Sequence, residues 1–493
     1  MNLHRDILRL AVPSILANIT VPLVGMVDIA VAGHLGASGG LGAAALIGGI
    51  SIGTMLFDML YWNFGFLRAG TGGLTAQAYG RYNTGAEEAA GEIPATLKRA
   101  LGIAFSSGLV LVALQWVVVQ VAFLLVKCTP EVQELATQYF YIRIWAAPAT
   151  LSLFAFKGWF IGMQDTVRPM VCDLLVNAVN IGLSVCLAFG YVGLPALGFS
   201  GVAYGTLIAQ WTGFTYAILA VWRRYGRFFQ RPTSAEHVAE NENASKRALS
   251  RAGARVEEQI PNETCSQPCP AETSQNWRAF FTLNRDLFLR SVCMIAVYIG
   301  FTMISARYGD MMLAVGAILM KLLMVFSFFT DGFAYAGEAL TGRFIGEGSP
   351  DGVRSTVRQT FAWSLGVMML FFLVYGVGGV PLLRLMTSDP DVVDSAREFI
   401  PWLLLMPVIG CPAFTWDGIF IGATGSKDLR NSTIWCVVGF FAVWFIGIGI
   451  LKALHDPVPE TLAIHLLMAA YFTHLFIRAL YLTLRWRKAI PYA

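Results

Sequence analysis

Charge is the first thing this sequence lacks. Asp, Glu, Lys and Arg supply 13% of its 493 residues, against about 25% in soluble chains. A large soluble chain still needs a charged surface, so the shortage excludes an oversized soluble core. The chain also has no Gly-rich phosphate loop of Walker type, which argues against ATP as the energy source. Its six histidines are dispersed without metal-ligand spacing, and no metal is expected. The apolar runs hold no juxtaposed His, Asp and Ser groups of the kind an intramembrane enzyme uses, so no enzyme is expected either. The ten-residue alternation of a membrane β-barrel is absent.

Cysteine is scarce and mostly placed as a small hydrophobe. Of eight cysteines, Cys172, Cys186, Cys293 and Cys436 lie in apolar segments. Cys265 and Cys269 sit in a polar stretch, but two thiols without partner ligands are too few for zinc.

What the chain has is apolar length. Hydrophobic residues make up 56%, and the mean hydropathy is +0.60. Apolar runs of about 20 residues, the length that crosses a bilayer as a helix, recur along nearly the whole chain. The runs place spans near 7–35, 41–66 continuing toward 80, 97–126, 134–162, 169–192 and 199–222. A polar stretch from about 224 to 280 follows, too hydrophilic to insert, and reads as a disordered linker. Six more spans lie near 284–306, 311–345, 355–380, 395–422, 431–453 and 461–484. The expected fold is all-α integral membrane, with twelve transmembrane helices in two pseudo-symmetric six-helix lobes. The lobes cover 1–223 and 281–493, with the cytoplasmic linker 224–280 between them.

The cations set the expected orientation. Arg5, Arg9, Arg81, Lys98, Arg99, Arg168, the linker arginines, Arg354, Arg358, Lys427, Arg430 and the Arg485–Lys488 tail all fall on one side. By the positive-inside bias both termini and the linker are cytoplasmic. The first apolar segment contains Pro13, Pro22 and Asp28, which does not suit a cleavable signal. These features fit a multi-pass protein of a bacterial inner (plasma) membrane.

The two halves echo each other. Leu3-His4-Arg5-Asp6-Ile7 matches Leu283-Asn284-Arg285-Asp286-Leu287, and Leu74-Thr75 with Gly80 matches Leu340-Thr341 with Gly346. Gly158 through Gly162 matches Gly418 through Gly422. An even number of spans in each half makes the repeats parallel, related by an axis along the membrane normal. That arrangement suits a transporter that alternates access between two lobes.

Charge inside a span costs roughly 2.5–3.5 kcal/mol on insertion scales, so each case needs a reason. Asp28 lies deep in the first span, beside the bends that Pro13 and Pro22 permit. Such an acid suits reversible protonation. The alternative is a static pair with a cation of the same lobe, Arg68 or Lys157. Aligning the halves sets Asp28 opposite Phe301, Lys157 opposite Asp417 and Gly72 opposite Glu338, so the lobes share architecture but differ in polar lining. The first lobe carries Asp28, Arg68, Lys157, Asn177 and Asn180, and the second Asp331, Glu338 and Asp417. Asn177 and Asn180 share a helix face, where they serve either a proton network or interhelical bonding. Met320, Met324, Phe326, Phe328 and Phe329 are either cavity lining for bulky apolar ligands or ordinary packing.

At this point long strings resemble a known family. Pro22 through Gly36, Phe66 through Gly80, Lys157 through Gln164, Asp331 through Leu340, and Asp417 through Thr424 with Arg430-Asn431-Ser432 resemble the multidrug and toxic compound extrusion (MATE) family, closest to its DinF-like branch. The resemblance implies a cation-driven antiporter that expels varied, often cationic, small organic compounds across the lipid bilayer. It implies that Asp28 couples to the proton, with Asn177, Asn180 and Thr206 as its polar partners. Arg68, Lys157, Glu338, Asp417 and Asp331 would be the polar residues of the substrate cavity. Ser184 stands where many relatives have a second acid, and Lys157 where Arg is usual. The missing carboxylate removes an oxygen ligand that sodium would want, although sodium is possible. No cofactor beyond the coupling ion, no nucleic acid and no obligate protein partner is expected. Two other functions are open on the sequence: a flippase for lipid- or polyprenyl-linked anions, using Arg68, Lys157 and Lys321, and a membrane scaffold acting through the linker.

Overall fold

A computed structural model describes residues 3–38, 42–125, 128–230, 277–386, 390–455 and 457–491. The described residues are almost entirely helical and contain no strand. Eleven helical stretches are long and apolar enough to cross a membrane. The sixth span, Phe199–Gln230, is the twelfth crossing; its length suffices, but polar residues such as Gln210, Thr212 and Thr215 dilute its hydropathy. Thr212 and Thr215 satisfy their hydroxyls on the carbonyls of Ile208 and Trp211, one turn back, at 2.8 and 2.9 Å. The chain is therefore an all-α integral membrane protein of twelve transmembrane helices in two lobes.

The linker boundaries need correction. The sixth span continues as helix to Gln230, and the seventh begins at Trp277. Residues 224–230 and 277–280 are thus helical extensions, because their polar side chains alternate with Tyr225, Phe228 and Phe280, which pack inward. Residues 231–276, with Cys265 and Cys269, lie outside the described residues.

Breaks in the spans follow the sequence. The second span is two helices, Ala43–Trp62 and Gly65–Asn83, with Asn63 at the joint donating to the Met59 carbonyl at 2.7 Å. The fourth is Pro130–Arg143 and Ala147–Gly162, joined by one 3-10 turn before Pro148. The first span, Leu3–Ser38, holds Pro13 and Pro22 inside one helix. Pro13 has no N–H for the carbonyl of Arg9. Thr166, at the start of the fifth span, donates to that carbonyl instead at 3.3 Å.

The two lobes meet at the arginine-rich end, where glycine lets backbones touch. A Cβ on Gly80 would collide with the Arg343 carbonyl, and one on Gly346 with the Gln77 carbonyl, across the lobe boundary. The two contacts are symmetry mates. Within the lobes, Gly158 faces the Arg68 carbonyl as Gly418 faces that of Ala334. Gln77 donates across the boundary to the Gly422 carbonyl at 3.0 Å, and Gln164 to that of Ala339 at 2.7 Å. Gln164 and Thr424 occupy equivalent places, and both have positive φ. The repeat read from the sequence is thus a real structural symmetry.

Candidate functional site

Two groups of charge occupy the interior. The larger lies where the second, eighth and tenth spans approach each other. Arg68 donates to Glu338 at 2.9 Å across the lobe boundary and lies 4.4 Å over the Tyr335 ring. Glu338 is fully buried. Asp417 is held by both Arg290 and Arg478, and Arg478 is only 1% exposed. Lys157 pairs with Asp173 at 2.7 Å within the first lobe. Asp331 is half-buried, has no ion-pair partner among the described residues, and lies in the field of Arg68, Arg290 and Arg478. These four cations and four acids balance. The cost of burying each charge is met by its neighbours.

Of the five residues expected to line a substrate cavity, four are already engaged in ion pairs. Arg68 and Glu338 join the lobes, while Lys157 and Asp417 hold their own lobes together. Neither Arg68 nor Lys157 is a static partner for Asp28, because each is taken by another acid. The sequence reading passed over Asp173, Arg290 and Arg478. The criterion that picked out Asp28, charge inside an apolar run, applies equally to all three.

Asp28 belongs to the second group, in the half of the first lobe away from the arginine-rich end. It is 5% exposed, and its Oδ1 is buried with no hydrogen-bond partner. Arg143, at the end of the first helix of the fourth span, exerts its charge on both Asp28 and Asp58. Its own hydrogen bonds go to the Tyr139 hydroxyl at 2.9 Å and to Thr54 Oγ1 at 3.5 Å, and it lies 4.7 Å over the Phe57 ring. Asp58 is exposed and feels Lys321, itself exposed on the second lobe. Arg143 and Asp58 were also missed in the sequence, where Phe57-Asp58-Met59 and Ile142-Arg143-Ile144 carry the same signal.

The three polar partners expected for Asp28 lie on the fifth and sixth spans. Asn177 donates to Thr20 of the first span at 2.7 Å, which ties the first and fifth spans together. Asn180 donates to Thr206 at 2.9 Å, and Thr206 donates in turn to the Val202 carbonyl at 3.1 Å. No hydrogen bond joins Asp28 to Asn177, Asn180 or Thr206. The first and fifth spans run in the same direction. From the Thr20–Asn177 bond, Asp28 lies about 12 Å farther along, Ser184 about 10 Å and Asn180 about 4.5 Å. Asp28 is therefore level with Ser184. Ser184 is fully buried, donates to the Val202 carbonyl at 3.4 Å, and is pressed against Gly205, where an added Cβ would come within 2.6 Å of its Oγ.

Asp28 Oδ1 and Asn180 Oδ1 share one property. Both are buried acceptors without a donor. Buried acceptors left empty are costly, and each of these oxygens has a lone pair open to a donor. Met320 and Phe326 are buried in the core of the second lobe rather than lining a cavity.

Comparison with known proteins agrees with this architecture. The MatE family model matches residues 13–186 and 287–446. DNA damage-inducible protein F of Escherichia coli (strain K12) is 30% identical over 480 residues, covering 97% of this chain and 91% of that protein. The probable multidrug resistance protein NorM of Thermotoga maritima is 22% identical over 90% of this chain and 83% of its own. A crystal structure of the Vibrio cholerae MATE transporter VcmN in the bent form superposes with a TM-score of 0.74 at 17% identity, covering 99% of this chain and 97% of that one.

Proposed function

The chain belongs to the MatE family of multidrug and toxin efflux transporters, and from that premise we propose that it exports small organic compounds in exchange for protons carried by Asp28. The observation that carries the proposal is the contrast between the two charge groups. In the larger group every charge but Asp331 is held in an ion pair, whereas Asp28 is buried with an acceptor oxygen unpartnered and only the shared field of Arg143. A protonated Asp28 is neutral and can donate to a neighbour. An ionised one draws Arg143 toward it. The two states favour different packing of the first span about its Pro22 bend.

The coupling is energetically sufficient. One charge crossing 100 mV gains about 2.3 kcal/mol, which exceeds the roughly 1.4 kcal/mol of a tenfold substrate gradient. The arginine-rich end, with both termini, is assigned to the cytoplasm by the positive-inside bias. The lobes touch at that end, which supports reading this arrangement as one closed toward the cytoplasm.

A lipid-anion flippase needs a cationic cavity. Arg68 and Lys157 have their charge answered by Glu338 and Asp173, which leaves Lys321 as the exposed cation of the three proposed for that role. That weighs against the flippase.

The test is transport in everted vesicles acidified inside and challenged with cationic and neutral organic compounds while lumenal pH is followed. Substrate-induced proton release by the parent protein and its loss in Asp28→Asn support the proposal. Release at the parent rate by correctly inserted Asp28→Asn removes Asp28 from the role. No release by the parent with any compound removes proton antiport.

A further inference from the structure

The arginine-rich face holds a cavity of about 730 Å³ that the transport reading does not use. Its walls come from the start of the first span, the ends of the second, sixth and eighth, and the turn between the fourth and fifth. Five arginines line it. Arg168 is paired with Asp165, and Arg343 with Glu347 at 2.7 Å. Arg9, Arg224 and Arg227 have no ion-pair partner among the described residues. One wall is aromatic, with Tyr82 and Phe228 in edge contact at 5.2 Å. The acid that remains is Asp6, half-buried and without an ion pair among the described residues.

The internal repeat shows that this cavity is not a necessary product of the fold. Asp6 corresponds to Asp286 in the second half. There the carboxylate is fully buried, takes Arg430 at 2.7 Å and accepts from the Ser426 hydroxyl at 3.3 Å. A pocket next to its partner Ser426, between Leu283, Leu287 and Phe420, holds about 10 Å³. The second lobe fills the position with its own cation. The first lobe leaves it open and surrounds it with three uncommitted guanidinium groups. General cationic bias on the cytoplasmic side explains arginines scattered on the surface; it does not explain three of them around one concave, aromatic-walled space.

We propose that this cavity binds a phosphate-bearing ligand, with its anion held by Arg9, Arg224 and Arg227 and its less polar part against Tyr82 and Phe228. Guanidinium groups present forked donors that match phosphate oxygens. Basic pockets between helices on the cytoplasmic face suit anionic lipid headgroups, and a free phosphate ester has the same chemistry. The inference stands apart from proton antiport, since its readout is binding.

The experiment uses the full chain in detergent, with phosphatidylglycerol and its soluble counterpart glycerol 3-phosphate as probes, read by native mass spectrometry and by melting temperature. The triple variant Arg9→Gln, Arg224→Gln, Arg227→Gln loses roughly a hundredfold in affinity, about fivefold for each charge. Arg354→Gln with Arg358→Gln, which removes two exposed cations elsewhere on the same face, changes it less than about twofold. Asp6→Asn removes the opposing carboxylate and tightens binding about fivefold, a gain that misfolding cannot mimic. Saturable binding of glycerol 3-phosphate with this pattern identifies a soluble phosphate ester as the source; binding of the lipid alone identifies the headgroup. Equal losses in the triple and control variants, unchanged binding in Asp6→Asn, or no binding of either probe overturns the proposal.

Discussion

Glu338 lies over Gly72, the residue at its own symmetry-related position in the other lobe. A Cβ on Gly72 would collide with Glu338 Oε1, while Oε2 accepts from Arg68 at 2.9 Å. The repeat has thus been divided into a giver and a receiver of space. The eighth span contributes a long acid, and the second contributes an empty site with a cation one turn away. Gly72 is needed because Glu338 is present.

The pair gives an asymmetric prediction. Arg68→Met leaves a fully buried carboxylate without its cation, a change that costs about 3–5 kcal/mol in buried pairs. Arg68→Met combined with Glu338→Gln removes both charges and recovers most of that loss. Melting temperatures in detergent should fall in the order parent, double variant, single variant. A single variant as stable as the double one means that the pair is not load-sharing between the lobes.

Asp28, Arg68 and the Gly-rich strings were legible in the sequence because charge or glycine inside an apolar run has few explanations. The span count and the repeat were legible for the same reason, since apolar length and landmark order are one-dimensional. Pairing was not. Asp417 read as a cavity acid because Arg290 and Arg478 lie 127 and 61 residues away, and nothing in a single sequence joins them. The ends of the linker were misplaced because Arg224 and Arg227 look like solvent residues, although Tyr225 and Phe228, each next to one of them, pack onto the first lobe. Asp58 and Arg143 carried a visible signal that went unused.

Asp417 supplies the next prediction. Asp417→Asn leaves Arg290 and Arg478 facing each other in a buried site without their carboxylate. The expected result is a fall in folded yield and a melting temperature lowered by several degrees, with substrate affinity of the surviving protein little changed. Fluorescence-detected size exclusion and ligand titration measure the two separately. A selective loss of affinity at parental stability would return Asp417 to the substrate cavity.

Arg143 serves two acids at once, so its removal should affect coupling more than folding. Arg143→Gln takes away the charge shared by Asp28 and Asp58 and leaves Tyr139 and Thr54 without their donor. Protons released per substrate exported should drop by half or more. Arg143→Lys keeps the charge but not the planar contact with Phe57, and should retain an intermediate ratio. Parental stoichiometry in Arg143→Gln would confine the role of Arg143 to packing.

Thr206 tests whether Asn180 belongs to the coupling path. Thr206→Val keeps the shape of the side chain and removes the acceptor at 2.9 Å, so the Asn180 amide loses its partner in a buried site. The unmade bond costs about 1–3 kcal/mol, relieved if the amide turns toward the first span. Export at a fixed proton gradient should fall about tenfold while insertion is kept and melting drops by only a few degrees. An unchanged rate would place Asn180 and Thr206 among the bonds that merely hold the fifth span to the sixth.

Gly346 tests alternating access directly. A methyl group there meets the Gln77 carbonyl, which belongs to a helix and cannot withdraw, so the lobes must part at the arginine-rich end. Overpacking of this kind costs about 1–3 kcal/mol, and each 1.4 kcal/mol shifts a two-state population tenfold. Gly346→Ala should therefore move the protein toward the arrangement open at that end, although no polar group has changed. Gly80→Ala should do the same by symmetry, against the Arg343 carbonyl. With the eight native cysteines replaced, labelling rates of a single cysteine introduced at Ala339, which is buried here, report the shift with a membrane-impermeant maleimide in everted vesicles. Faster labelling in both alanine variants than in the parent supports a hinged closure through these two contacts. Unchanged labelling in both would mean that the lobes do not separate there, and that access alternates by bending within the first lobe alone.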